Sequence, residues 1–171
     1  MAGVGAIDAA MLCVCVVSMP LYAAVMATVI RFRSIPPFNG SFFKISLNLG
    51  VLDMARLTTG WLLDKMPAYG WLGTQELFMA WPKLFARVDN TLWWYIRLAQ
   101  TIGALSLAVN RLMIVGFNRD WSHNEILAIL AATWLFPAVV VAPQFLVSGF
   151  HYEKLNTSDG VVLAWDDKYW Q

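Results

Sequence analysis

The chain has 171 residues, of which 59% are hydrophobic and 13% charged, with a mean hydropathy of +0.58. An average soluble domain carries nearer ~25% charged residues, so a water-soluble core of this length is excluded and a lipid bilayer is the partner for this much apolar surface. A net charge of +1 spreads no basic field for nucleic acid.

The first apolar run, Ala9 to Ile30, is uncharged and ends at Arg31-Phe-Arg33. It is long enough to cross the ~30 Å hydrocarbon layer. Asp8 precedes it and the arginines follow it, which is the reverse of a cleavable signal peptide. That pattern predicts an uncleaved first helix with its N-terminus extracellular, kinked at Pro20. A short basic link with Arg31, Arg33 and Lys44 turns at Pro36-Pro37. The second span is expected over 42–63, the third over 91–116 and the fourth over 126–150. The fourth contains Trp134, Pro137 and Pro143. Arg111 and Arg119 stand between spans three and four, on the same side as the first basic link if the spans alternate. Basic residues in short links mark the cytoplasmic face. The aromatic link from Asp64 to Asn90 and the segment 151–171 are therefore expected outside, as an extracellular loop or tail. Asn156-Thr-Ser158 is a glycosylation sequon on that outer side. The sequon at Asn39 falls on the inner side and is expected to stay unmodified.

Several polar residues fall within the spans. A charge in hydrocarbon costs ~2.5–3.5 kcal/mol on insertion scales, so Asp53 requires a partner. Ser46, Gly50, Asp53, Arg56 and Gly60 recur at three- and four-residue spacing along one small, polar face of helix two. Asp53 and Arg56 are spaced to pair locally. Their chemistry leaves two readings open, a structural ion pair or an intramembrane polar switch. Ala99, Gly103, Ser106 and Asn110, with Gln100 beside them, make a similar face on helix three, where small residues let helices approach. Arg97 is read as reaching out to the outer interface. Cys13 and Cys15 point in different directions on a helix, and His123 and His151 lie far apart. Neither pair suggests a disulfide, a metal site or a cofactor site. Asp166-Asp167 read as a solvated acidic loop. No catalytic constellation appears: no paired carboxylates, no nucleophile beside a histidine and no phosphate-cradling glycine loop.

Two motifs carry a resemblance. Phe38-Asn-Gly-Ser-Phe-Phe-Lys-Ile45 leads into helix two, and Ala108-Val-Asn-Arg-Leu-Met113 closes helix three. With the sequon-bearing acidic tail, they make the chain similar, from about Pro20 to Asp167, to the nematode serpentine receptor class gamma (Srg) family. More broadly it resembles the seven-helix nematode chemoreceptors. The resemblance implies a chemosensory G-protein-coupled receptor with a small-molecule chemical ligand, a heterotrimeric G protein as partner and the plasma membrane as location. By the same resemblance Asn110 and Arg111 are G-protein-facing. Asp53, in Leu49-Gly-Val-Leu-Asp53, is similar to the mid-membrane aspartate of rhodopsin-like receptors. Trp134 resembles their helix-four tryptophan. Helices five to seven of that pattern are missing, so the chain is expected to be truncated after helix four. The outer cysteine of many rhodopsin-like receptors is absent as well.

The sequence is thus read as an all-α, polytopic membrane helix bundle of about four transmembrane helices, a non-enzyme, and the first part of a chemoreceptor. Two rivals are a four-helix membrane scaffold and a small transporter or channel subunit that uses Asp53 and Arg56 in a polar path.

Overall fold

The computed structural model describes residues 6–36, 38–147, 149–154 and 161–165. Helix α1, Ala6–Arg31, carries Pro20 inside it and ends on the basic Arg31. Helix α2, Ser41–Thr59, runs on without interruption into a π turn, Gly60–Lys65, and the short α3, Met66–Ala68. Gly70, Leu72 and Gly73 adopt left-handed backbone angles that fold the link after α3 sharply, through a 3-10 turn at Trp71–Gly73 into α4, Thr74–Ala80. Helix α5, Pro82–Phe117, and α6, His123–Val147, follow.

Three of these helices are long and apolar enough to cross a membrane: Ala9–Arg31, Pro82–Phe117 and His123–Leu146. The expected second span falls short of that measure. Helix α2 has 19 residues, and Lys44, Asp53 and Arg56 lie among them. Asp53, Asn48 and Arg56 are met by side chains of neighbouring helices, and Ser41, Ile45, Gly50 and Leu52 are buried.

The boundaries have local causes. Pro82 occupies the first turn of α5, where its missing N–H costs nothing. The helix thus starts nine residues before the expected Thr91 and, at ~1.5 Å per residue, outruns the bilayer's hydrocarbon. It ends on Asn118 in the left-handed conformation, whose N–H bonds back to the Met113 carbonyl. Helix α6 begins on a reciprocal cap. The Ser122 N–H donates to Glu125 Oε2 at 2.7 Å and the Glu125 N–H donates to Ser122 Oγ at 3.4 Å.

The segment expected as a solvated tail holds a β-hairpin. Strand β1, Phe150–Lys154, pairs antiparallel with β2, Val161–Trp165, from Phe150 opposite Trp165 to Lys154 opposite Val161. Tyr152 and Val161 are buried with Phe78 and Ala86 in a compact apolar cluster flanked by Leu63, Phe85, Phe150 and Leu163. The Phe78 ring stacks on Phe85 at 4.5 Å and meets Tyr152 edge-on at 5.1 Å. The bundle is therefore helical throughout, with this hairpin closing one end. Asn156 and Asp166-Asp167 lie outside the described residues.

Candidate functional site

Polar groups gather at three levels along the bundle. The middle level centres on Asp53. Tyr22 Oη from α1 donates to Asp53 Oδ2 at 2.9 Å, and Gln100 Nε2 from α5 donates to Asp53 Oδ1 at 2.7 Å. One carboxylate thus joins three helices. This corrects the expected local pair: among the described residues no ion pair joins Asp53 to Arg56. The Arg56 side chain turns outward along α2 instead, and its guanidinium lies over the Trp93 ring at 5.3 Å. Arg97, one turn along α5, lies over the same ring at 4.9 Å. Trp93, Arg97 and Gln100 share a face of α5 by their spacing. The interlock extends to α6, where Trp134 Nε1 donates to Asn48 Oδ1 at 2.7 Å and Tyr95 Oη donates to the Trp134 carbonyl at 3.1 Å.

Close approach makes these bonds possible. A Cβ added at Gly50 would meet Met26 Sδ at 3.1 Å and Tyr22 Cε1 at 3.2 Å. Glycine there is what lets α1 sit near enough to α2 for Tyr22 to reach Asp53.

At the end of the bundle that holds the link after α1, Ser41, the first residue of α2, meets Asn110 of α5 and Asp120 of the following link. Ser41 and Asn110 are 1% and 0% exposed. Ser41 Oγ lies 2.9 Å from Asn110 Oδ1 and also contacts Asp120 Oδ1. A hydroxyl has one proton, so it cannot donate to both oxygens at once. In that orientation Asn110 Nδ2 is also buried with no partner. Turning the amide over removes both difficulties, because the oxygen and nitrogen of an amide are assigned by their bonding. Asn110 Nδ2 then donates to Ser41 Oγ, and Ser41 donates to Asp120. Beside this chain the Arg111 guanidinium stacks on Phe42 at 4.7 Å. Asn110 is therefore an internal tie between helices, whereas Arg111 is exposed.

At the opposite end, Tyr152 Oη donates within reach of two acceptors, the Leu63 carbonyl at 2.8 Å and Asp89 Oδ2 at 3.0 Å. Asp64 is hydrogen-bonded to Asp89, and Arg56 is near enough to attract it. Burial first, then the Asp89 and Asp64 carboxyls, push the Tyr152 phenol above its ordinary value, so it stays a donor. Between α1 and the C-terminal part of α2 with the π turn lies a cleft of about 260 Å³, walled by Met11, Cys15, Leu57 and Trp61 with Arg56, Asp64 and Lys65. Among the described residues no group of three or more His, Cys, Asp or Glu could hold a metal ion.

Sequence reasoning marked Asp53, Arg56, Asn110 and Arg111, and the structure distributes them over two levels. It did not mark Tyr22, Ser41, Asn48, Asp89, Asp120 or Tyr152. The Ser-x-x-Glu cap at Ser122 was a readable signal for the start of α6. The others depend on which helices become neighbours.

Long apolar helices tied together by polar groups inside the membrane define a multi-pass membrane protein of the helix-bundle type. The family model for the serpentine type 7TM GPCR chemoreceptor Srv matches residues 11–170. The chain belongs to that family. It is also 23% identical over 145 residues to the "Serpentine receptor class V-1" of Caenorhabditis elegans, an alignment covering 79% of this chain. The chain spans 44% of that relative's length. These matches correct the class gamma resemblance: the seven-helix chemoreceptor kinship holds, and the class is V.

Proposed function

We propose that this chain forms the ligand-sensing and G-protein-contacting helices of a plasma-membrane chemoreceptor, with its N-terminus extracellular. The observation that carries the proposal is Asp53, whose carboxylate bonds to α1 and α5 from its place on α2. A group held by three helices converts a shift in any one of them into a change at the other two. A ligand that favours one helix packing shifts the population, and the inner ends report it. Arg111, exposed beside the Asn110–Ser41–Asp120 tie, is the residue for the G-protein contact. A transport path would require Asp53 to exchange partners with passing ions, whereas here both of its oxygens are engaged.

The test fuses this chain to the remaining length of the class V-1 relative and compares Arg111→Lys with the parent. Both residues preserve the basic signal for orientation, but an ammonium cannot reproduce the guanidinium's planar fork. Near-normal surface expression with a lost G-protein response is expected. Equal signalling at equal expression would reduce Arg111 to a topological anchor stacked on Phe42.

A further inference from the structure

We infer that the flank of the bundle between α5 and α6 binds one membrane phospholipid, with its phosphate on Lys83 and Arg87 and an acyl chain along the groove beyond them. This goes beyond the receptor reading and does not rest on it. Lys83, Arg87, Thr91 and Tyr95 recur every four residues and so share one face of α5. Two cavities open along that face. The first, of about 430 Å³, is walled by Trp81, Lys83, Arg87 and Phe145. The second, of about 510 Å³, is walled by Leu92, Tyr95, Val141 and Phe145, with Thr91 also lining it. Phe145 belongs to both, so the cationic end leads into an apolar groove. Two polar atoms on this face are buried without a hydrogen-bond partner, Arg87 Nε and Thr91 Oγ1. They belong to residues one helical turn apart, ~6 Å along the axis. Neither Lys83 nor Arg87 joins an ion pair among the described residues. Asp89, the acid nearest to them in sequence, is engaged by Tyr152 and Asp64.

A buried guanidinium nitrogen with neither an acceptor nor a countercharge is costly, and a phosphate supplies both. Its oxygens suit the guanidinium fork, and the Lys83 ammonium one turn away reaches the same group. The order of groups along α5 selects the occupant. The two cations come first, then the orphaned Thr91 hydroxyl, then the apolar wall from Leu92 to Tyr95. Tyr95 adds only its ring, because its hydroxyl is already donated to the Trp134 carbonyl. A phospholipid presents its parts in that sequence: phosphate, ester carbonyl, hydrocarbon. The Thr91 hydroxyl donates to the ester carbonyl. A fatty acid with its carboxylate on the cations has no second carbonyl to offer one turn further on. Depth selects the same occupant. Trp81 is exposed and Lys83 has a long flexible stem, and both residue types settle at the headgroup level of a bilayer. The phosphate held at that level is the one whose own acyl chain lies in the groove.

The experiment strips the chain of lipid in maltoside micelles and adds back dioleoylphosphatidylcholine. Bound lipid is read by native mass spectrometry, and the melting temperature is followed in parallel. Saturable binding of one lipid with a rise in melting temperature is expected. Dioleoylglycerol keeps the esters and chains without the phosphate, and oleate keeps a charge and a chain without the ester. Each should bind about tenfold more weakly or worse, for want of one charge-assisted or ester contact. Arg87→Gln should weaken phospholipid binding about tenfold. If that variant does not fold, Arg87→Lys serves, and a severalfold weakening is expected from the lost fork. Thr91→Val should weaken binding severalfold and leave the lipid-free melting temperature unchanged, because its hydroxyl has no partner in the chain to lose. A fall in that temperature would make Thr91 a structural residue and overturn its place in the site. Equal binding of dioleoylglycerol or oleate, unchanged affinity in the folded variants, or uptake without saturation would overturn the inference. The fusion to the remaining length of the class V-1 relative tests the other occupant. It is expected to retain the lipid. Loss of binding in the folded fusion would overturn the inference and make a further receptor helix the occupant of the groove. No G protein enters this assay, so its result and that for Arg111 stand or fall separately.

Discussion

At the scale of single residues, the difference between spacing and contact decides what Asp53 does. Its three-residue separation from Arg56 allowed a local pair, but two neutral donors from other helices reach it first, at 2.9 and 2.7 Å. Neutral donors satisfy a carboxylate in the membrane without bringing a second charge in with it, and Arg56 gains from the electron-rich face of Trp93 instead. A double-mutant cycle separates the two arrangements. Asp53→Ala and Gln100→Leu should couple, with the double change costing less thermal stability in micelles than the sum of the singles. Asp53→Ala and Arg56→Ala should add independently. Coupling confined to the second pair would restore the local ion pair. Ser41 gives a companion case. Ser41→Ala leaves Asn110 and Asp120 facing each other without the hydroxyl between them, a loss of about 1–3 kcal/mol for buried polar groups deprived of a partner. Ser41→Thr retains the hydroxyl and should recover most of the melting temperature.

At the scale of elements, what the sequence disclosed follows from how each element is stabilised. Helices α1 and α6 carry charges only near their ends, Asp8 and Arg31 in one and Glu125 in the other, and are apolar in between, so hydropathy alone picks them out. Helix α5 is longer than its apolar part because Lys83, Arg87 and Asp89 lie in its first turns on a helix that starts at Pro82, and a hydropathy reading stops where the charges begin. The hairpin was illegible for another reason. His151, Tyr152 and Glu153 look like tail residues until α4 and α5 bring Phe78 and Ala86 against Tyr152. The site divides in the same way. Asp53 and Arg111 could be picked out because charge in a membrane span is conspicuous, whereas Ser41, Asn48 and Tyr22 are ordinary residues that gain roles only from non-local neighbours. The docking of the hairpin is itself testable. Tyr152→Phe retains the ring packed on Phe78 and removes the bonds to Asp89 and the Leu63 carbonyl. Amide exchange in β1 and β2 should rise by about tenfold or more, in keeping with ~1–3 kcal/mol for the orphaned acceptors. Exchange in α1 should stay unchanged. Unaltered protection of both strands would show that the aromatic packing alone holds the hairpin down.

At the scale of the whole molecule, the two ends of the bundle differ in chemistry as well as in position. The contacts of Ser41 with Asn110 and Asp120, and of Arg111 with Phe42, bring the link after α1 and the link after α5 to one end. Arg31, Arg33, Lys44, Arg111 and Arg119 are gathered there. The opposite end holds the π turn, α4 and the hairpin, with Trp61, Tyr69 and Trp71 stacked along it, and aromatic rings of this kind settle at the membrane interface. On the proposed orientation the first end, with its short basic links, is the cytoplasmic one. Glycosylation at Asn39 is a weak probe of this, because the residue lies two positions from the start of α2. Cysteine labelling avoids that difficulty. Cys13 and Cys15 are both free thiols and would first be replaced by serine. Single cysteines then go in at Asn39 and at Glu153, both of which are exposed. A membrane-impermeant maleimide added to intact cells should label Glu153→Cys at once. Asn39→Cys should react only after permeabilisation. Modification of the natural sequon at Asn156, seen as a band shift removed by glycosidase, should accompany the outer label. Labelling of Asn39→Cys in intact cells with Glu153→Cys protected would invert the molecule. It would place Arg111 outside and end the case for a G-protein contact there, whatever the packing of the helices between.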